Sequence, residues 1–247
     1  MENFKSCLQG IDVNEKCAKF LKGELSKKFD KELLYDFLSL PVIKHMHKER
    51  ITILINLIRD GVYDYDIISS LCDELEDVSN YLWLDIVNMI DEIIHEIFYK
   101  FDRRAQLKLA YTLEVLYAKG FSNIGIMLQK LFEIINFSNL EFSPDSEENV
   151  HIRLAKVAYS CNAYNYPQKV KCLKSIKEHL KMSKNKHLMG MLNYYKGISY
   201  KCAHLSYDGK NDEYYILKSR NRGFELAKIY FEYINIHIEK SKKSLKA

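Results

Sequence analysis

Three spacings in this chain invite a metal. His45-x-His47 pairs two imidazoles. Residues two apart on a helix point to different sides, however. No Cys or carboxylate cluster stands near to complete a zinc set. Glu92-Ile-Ile-His95 is half of a di-iron carboxylate signature. A full site needs a second Glu-x-x-His and two further Glu brought onto facing helices, and the pair is read here as part of an ordinary helix face. Asp64-x-Asp66 follows Asp60-Gly61 as in a calcium loop, but the glycine is out of place and no Glu stands at the twelfth position. Phosphate-loop, dinucleotide and nucleophile-elbow motifs do not occur either. No nucleophile, base and orienting group can be assembled from these residues. The chain therefore reads as a binding protein and not an enzyme, with no catalytic residue, no metal and no cofactor expected.

Charge is the stronger signal. The net charge of +4 is too mild to imply nucleic acid by itself. Its distribution is uneven. Between Asp60 and Glu92 there are ten acidic residues and no Lys or Arg. Between Lys169 and Lys201 there are nine lysines and one acid, Glu178. Lys169, Lys171, Lys174, Lys177 and Lys181 form a basic stripe that could face phosphates. A solvated helix face accounts for either block, and a partner surface or head-to-tail self-association into a homodimer is the other reading. A DNA-reading helix-turn-helix is not supported: the first fifty residues lack its glycine turn, and Lys27-Lys28 is not a basic recognition face. Nucleic acid is thus a partner that the sequence permits but does not favour.

The elements that position these residues are helices. Of 247 residues, 47% are hydrophobic, so a sizeable core can be buried, while three prolines and nine glycines leave room for long helices with short turns. Apolar residues recur three and four apart at Ile51, Leu54, Ile55 and Ile58, and again at Ile67, Ile68, Leu71, Cys72 and Leu75. The spacing predicts helices over 41–60, 64–77, 79–99, 102–120, 122–135, 147–163, 166–182, 186–204 and 212–238, after short helices at 12–22 and from 30. Asp64, Ser79, Asp102 and Ser122 stand as N-caps. The unit of helix, turn and helix repeats at roughly 35 to 40 residues, which predicts an all-α solenoid of stacked hairpins. The irregular piece at 136–149, with Pro144, predicts a boundary between repeats at 1–140 and repeats at 147–247.

Six cysteines occur without a CxxC pair, and Cys161 and Cys202 lie in apolar helical stretches as buried thiols do. No apolar stretch reaches the length of a membrane span, and the first twenty residues do not read as a secretory leader. A reducing cytoplasm and no membrane partner are expected. Eighteen tyrosines suit repeat interfaces and binding grooves alike.

A family resemblance enters at the C-terminal third. Leu192-Asn-Tyr-Tyr195-Lys-Gly197-Ile-Ser-Tyr200 resembles the first helix of a tetratricopeptide repeat, where a small residue lets two helices approach. Phe224, Ala227, Tyr230 and Phe231 are expected on the partner helix. With Asn149-Val-His-Ile-Arg153 and Leu34-Tyr-Asp-Phe-Leu38, this stretch is similar to the tetratricopeptide-like peptide-pheromone receptors of Gram-positive bacteria and their phages, the arbitrium type above all. Those receptors are longer and begin with a DNA-binding helix-turn-helix that this chain does not show. The resemblance implies a solenoid that binds a short signalling peptide and sets a lysis–lysogeny or quorum-sensing switch. Asn carboxamides pair with peptide backbone, Arg clamps a carboxylate, and Tyr gives apolar pockets with a polar rim. On that reading Arg153, Tyr159, Asn162, Asn193, Tyr194 and Tyr200 would hold the peptide. The alternative is a scaffold or inhibitor that docks a folded protein through charged helical surfaces.

Overall fold

The computed structural model describes residues 34, 35, 38, 46–78, 82–135, 146–160, 166–203 and 210–244, side chains after 234 excepted. The protein is all-α, in a solenoid-like arrangement of packed helices, with no β-strand among the described residues. No helix among them is long and apolar enough to cross a membrane. His45, Ser79, Cys7, Cys17, Cys161, Asn162 and the expected helix at 12–22 lie outside the described residues. The chain forms two compact units, 1–112 and 113–247. The division falls inside a helix, whereas the sequence places its boundary in the segment after Ile135.

The N-terminal unit holds α1 (His47–Arg59), α2 (Tyr65–Asp77), α3 (Leu84–Glu96), a 3-10 turn (Phe98–Lys100) and the first part of α4 (Arg103–Ala118). Asp64 Oδ1 accepts from Asp66 N–H at 2.9 Å, so the aspartates that resemble a calcium loop serve as a helix cap. Asp102 Oδ1 likewise accepts from Ala105 N–H at 2.8 Å. The apolar stripes of α1 and α2 are buried as their spacing predicts. α3 differs from expectation: it begins at Leu84 and tightens after Glu96 into the 3-10 turn. Tyr111, expected on the apolar face of α4, is exposed.

Part of the acidic block is paired within this unit. Lys108 Nζ lies 2.9 Å from Asp73 Oδ1 and 3.3 Å from Glu76 Oε1, and Thr112 Oγ1 donates to Glu76 at 2.6 Å. Burial opposes the Lys108 charge, but Asp73 and Glu76 outweigh it and raise the pKa. Lys48 reaches Asp85 at 2.7 Å. Arg50 and His47 both engage Glu74, and Arg59 engages Glu92. His95 stands 3.8 Å from Asp91. Glu92 thus pairs with Arg59 and His95 lies beside Asp91, which is how an ordinary surface helix uses them. Single exposed pairs contribute little, on the order of 0 to 1 kcal/mol each. Their consequence here is that part of the block's negative charge is offset.

The C-terminal unit holds the rest of α4, then α5 (Ile124–Ile134), α6 (Glu147–Tyr159), α7 (Tyr166–Ser183), α8 (Lys186–Ala203), α9 (Asp212–Arg220) and α10 (Glu225–Ser244). Each packs on its chain neighbour from α5 through α10, and α8 also packs on α6. Side-chain oxygens cap three starts: Ser146 for α6, Asn185 for α8 and Asn211 for α9. Ser122 does not cap α5, which starts after Asn123 with no side-chain cap. The single helix expected at 212–238 is two. Gly223 sits at φ +83°, and its N–H donates to Arg220 O at 2.8 Å, closing α9 as a left-handed C-terminal glycine does. The sequence carried a signal for this break, because no apolar residue stands between Lys218 and Gly223.

α8 is the unit's central helix, buried on nearly all sides. Gly197 makes that possible on the α9 side. A Cβ there would meet Ile216 Cγ1 at 2.5 Å and the backbone oxygen of Asp212 at 2.9 Å. The close approach expected from the repeat pattern is real, but the partner helix is α9, not α10, which follows Phe224.

Candidate functional site

α7, α8 and α9 enclose a cleft of about 490 Å³. That volume lies in the range of small-ligand sites, roughly 300 to 1,000 Å³. α8 supplies the floor, with Leu192, Asn193, Lys196 and Tyr200. These recur at i, i+1, i+4 and i+8, which is one face of a helix. α7 supplies one rim, with Lys174 and Lys177 a helical turn apart. Lys218 of α9 and Arg222 of the turn after it supply the other, with Lys210 and Tyr214 nearby.

The lining is strongly one-signed. Six cationic side chains face a single carboxylate, Glu178, and Lys181 already holds that carboxylate at 3.0 Å. The Lys181 hydrogen bond, with help from Lys177 and Lys174, keeps the Glu178 pKa below its ordinary value. Lys196 Nζ donates to Tyr215 Oη at 3.1 Å and stands 4.2 Å from that ring's centre. Lys210 Nζ stands 4.8 Å from the centre of Tyr214. Arg222 donates to Met189 O at 3.1 Å, which fixes its guanidinium at the rim. Among the described residues none of the six cations pairs with a carboxylate in a salt bridge. Aromatic faces hold two of them without neutralising them. The rings of Tyr200 and Tyr215 pack edge to face with centres 5.3 Å apart.

Of the residues that the resemblance brought forward, Asn193 and Tyr200 line this cleft. Asn193 Nδ2 donates to Met189 O at 2.7 Å, so its carbonyl oxygen is the group it can offer a ligand. Tyr159 and Tyr194 are fully buried in the core instead. Tyr159 stacks on Phe132 with centres 6.0 Å apart, and Tyr194 packs on Phe224 at 5.4 Å. Burial, first among the causes, pushes both phenols well above their ordinary pKa. Arg153 is exposed on α6 and is not among the cleft's lining residues. Asn162 lies outside the described residues. The basic stripe of α7 also divides: Lys169 is buried, Lys174 and Lys177 reach the cleft, and Lys181 is held by Glu178. Sequence reasoning counted Lys196 in the basic block but did not bring it together with Lys210, Lys218 and Arg222, because they come from separate segments of the chain.

Beneath the floor, the opposite face of α8 is tied to α4 and α6 by a polar cluster. Tyr195 Oη donates to Glu114, a carboxylate with no solvent exposure. His151 Nδ1 lies 3.0 Å from the same Oη. His151 Nε2 lies 3.2 Å from the other Glu114 oxygen. Burial lowers the His151 pKa, but the Glu114 charge and hydrogen bond outweigh it and the net shift is upward. Tyr195 and Lys196 are adjacent on α8, so this cluster fixes the rotation of the helix that forms the cleft floor.

Comparison of the chain with family models, with curated proteins and with solved structures found no match. The functional reading rests on the chemistry of the cleft.

Proposed function

We propose that the protein is a regulatory helical-repeat receptor whose C-terminal cleft binds a short peptide, and that occupancy sets a switch of the lysis–lysogeny or quorum-sensing kind. The observation that carries this reading is the cleft itself: 490 Å³ lined by Asn193, tyrosines and unneutralised cations. A carboxamide oxygen accepts from a peptide N–H, tyrosine faces take apolar side chains, and the cations take carboxylates. These are the groups of a binder rather than of a catalyst. The likeness to peptide-pheromone receptors supports the same reading, as do Asn193 and Tyr200, which that likeness singled out. We place the receptor in the cytoplasm, where Cys72, Cys172 and Cys202 would remain the free thiols they are here. The scaffold alternative, docking through both charged blocks, is the weaker one because five carboxylates of the acidic block already face Lys or Arg within their own unit.

Native mass spectrometry on protein purified from its own host cells tests this. The expected result is a bound species of several hundred daltons that sequences as a short peptide after denaturation. A clean mass, or a co-purifying folded protein, refutes the receptor reading.

A further inference from the structure

We infer that the cleft selects an acidic peptide, bound extended along α8 with its carboxylates directed alternately to the two rims. The inference rests on the peptide-receptor reading and adds the ligand's chemical class. Three observations carry it.

The first is sign. Six cations line the cleft, and the one carboxylate among them is already taken by Lys181. A neutral or basic ligand would leave these charges crowded in a space also lined by buried Leu192 and Leu173. An acidic ligand relieves their mutual repulsion.

The second is arrangement. The cations do not form one cluster. Lys174 and Lys177 belong to α7, while Lys218 and Arg222 belong to α9 and the turn after it. Lys196 lies between, on α8. A mononucleotide carries its phosphates in one contiguous group and would satisfy one rim. An extended peptide sends successive side chains to opposite sides. Adjacent Asp or Glu residues therefore place one carboxylate on each rim while the backbone runs past Asn193.

The third is the identity of the cations. Five of the six are Lys, with three rotatable donors on a flexible stem. Such heads match carboxylates on mobile side chains, whose positions vary from residue to residue. Arg222 is fixed by its bond to Met189 O and suits one oriented carboxylate.

Fluorescence anisotropy on the full-length chain tests this with three labelled probes: hexaglutamate, hexaglutamine and hexathymidylate. Hexaglutamate is expected to bind about tenfold or more tighter than hexaglutamine at low salt, with the preference shrinking as salt rises. Lys177→Gln and Lys218→Gln, one per rim, are each expected to weaken hexaglutamate, and the double variant to abolish the preference. Both side chains are exposed, so the variants are expected to keep the wild-type circular dichroism spectrum. Equal affinity for hexaglutamate and hexaglutamine overturns the acidic selectivity and leaves the peptide-receptor reading standing. Binding of hexathymidylate with neither peptide bound overturns both. A preference for hexaglutamate that survives in the double variant overturns the assignment to these rims.

Discussion

Replacing Gly197 by Ala sets a helix-propensity gain against a backbone clash, and the structure says which wins. In an exposed helix, Gly→Ala stabilises by about 1 kcal/mol. At Gly197 the new Cβ would lie 2.5 Å from Ile216 Cγ1 and 2.9 Å from the Asp212 carbonyl oxygen. The first contact can be eased by a rotamer change at Ile216. The second cannot, because it involves the backbone of the first turn of α9. Relief requires α9 to move away from α8. Overpacking of this kind costs about 1 to 3 kcal/mol, and a backbone contact belongs at the upper end. Subtracting the propensity gain leaves a net destabilisation of about 2 kcal/mol. For a chain of this size that corresponds to a fall in Tm of roughly 4 to 8 °C. The control is Gly190→Ala, whose nearest contacts are Phe224 Cβ at 3.3 Å and Arg222 Cβ at 3.4 Å. Those are tight but tolerable, and its Tm should change less. Differential scanning calorimetry on both variants, with Gly197→Ala/Ile216→Ala as a third, checks the assignment. The double variant should destabilise by less than the sum of its parts, because the shared contact is gone. A Gly197→Ala protein as stable as the wild type would refute the claim that α8 and α9 are in contact at this residue.

Three further outcomes follow from the same geometry. Because Glu114 raises the His151 pKa above its ordinary 6.5, the charged imidazole stabilises the fold fully below pH 6.5. That contribution is lost as pH rises through the folded-state value. Thermal melts should therefore fall from pH 6.5 upward, and His151→Gln should flatten the slope; an unchanged slope in the variant would rule out this pair as its source. Burial, chiefly, pushes the Cys72 thiol up to about 12, so mass-mapped alkylation at neutral pH should modify exposed Cys172 quickly and Cys72 only after unfolding. Arg153 is exposed on α6 and does not line the cleft; Arg153→Ala should leave hexaglutamate affinity within about twofold of wild type, and a loss beyond tenfold would move the site to α6.

The helical class and the buried stripes of α1 and α2 were legible because they depend on local spacing, which a single sequence displays directly. Helix ends were legible where one side chain does the work, as at Asp64 and Asp102. They were misread where backbone geometry decides. Gly223 closes α9 through a positive φ inside what looks like one continuous helix. Gly197 shows the intermediate case. Its type announced a close approach, but the partner is Ile216 on α9 because α9 and α10 are separate helices, a fact fixed twenty-six residues further on by Gly223.

Charge was the least legible feature, for a reason that lies in how charges are partnered. Two blocks of comparable density and opposite sign look equivalent in the sequence. In the fold they are not. The acidic block lies beside the cations Lys48, Arg50, Arg59 and Lys108, which come from outside it in sequence, so Asp73, Glu74, Glu76, Asp85 and Glu92 each face a charge of opposite sign. Three lysines of the basic block, Lys174, Lys177 and Lys196, meet Lys210, Lys218 and Arg222, which also come from outside in sequence but carry the same sign. A cation whose neighbours are tyrosine faces and other cations keeps its field, because a ring quadrupole orients a charge without neutralising it. Like charges gathered around a cleft cost stability in the empty protein through self-repulsion. An anionic ligand recovers that cost on binding. The expected signature is a rise in Tm with hexaglutamate that exceeds the rise with hexaglutamine at equal concentration. The excess should vanish at high salt, where screening has already removed the repulsion that the ligand would relieve.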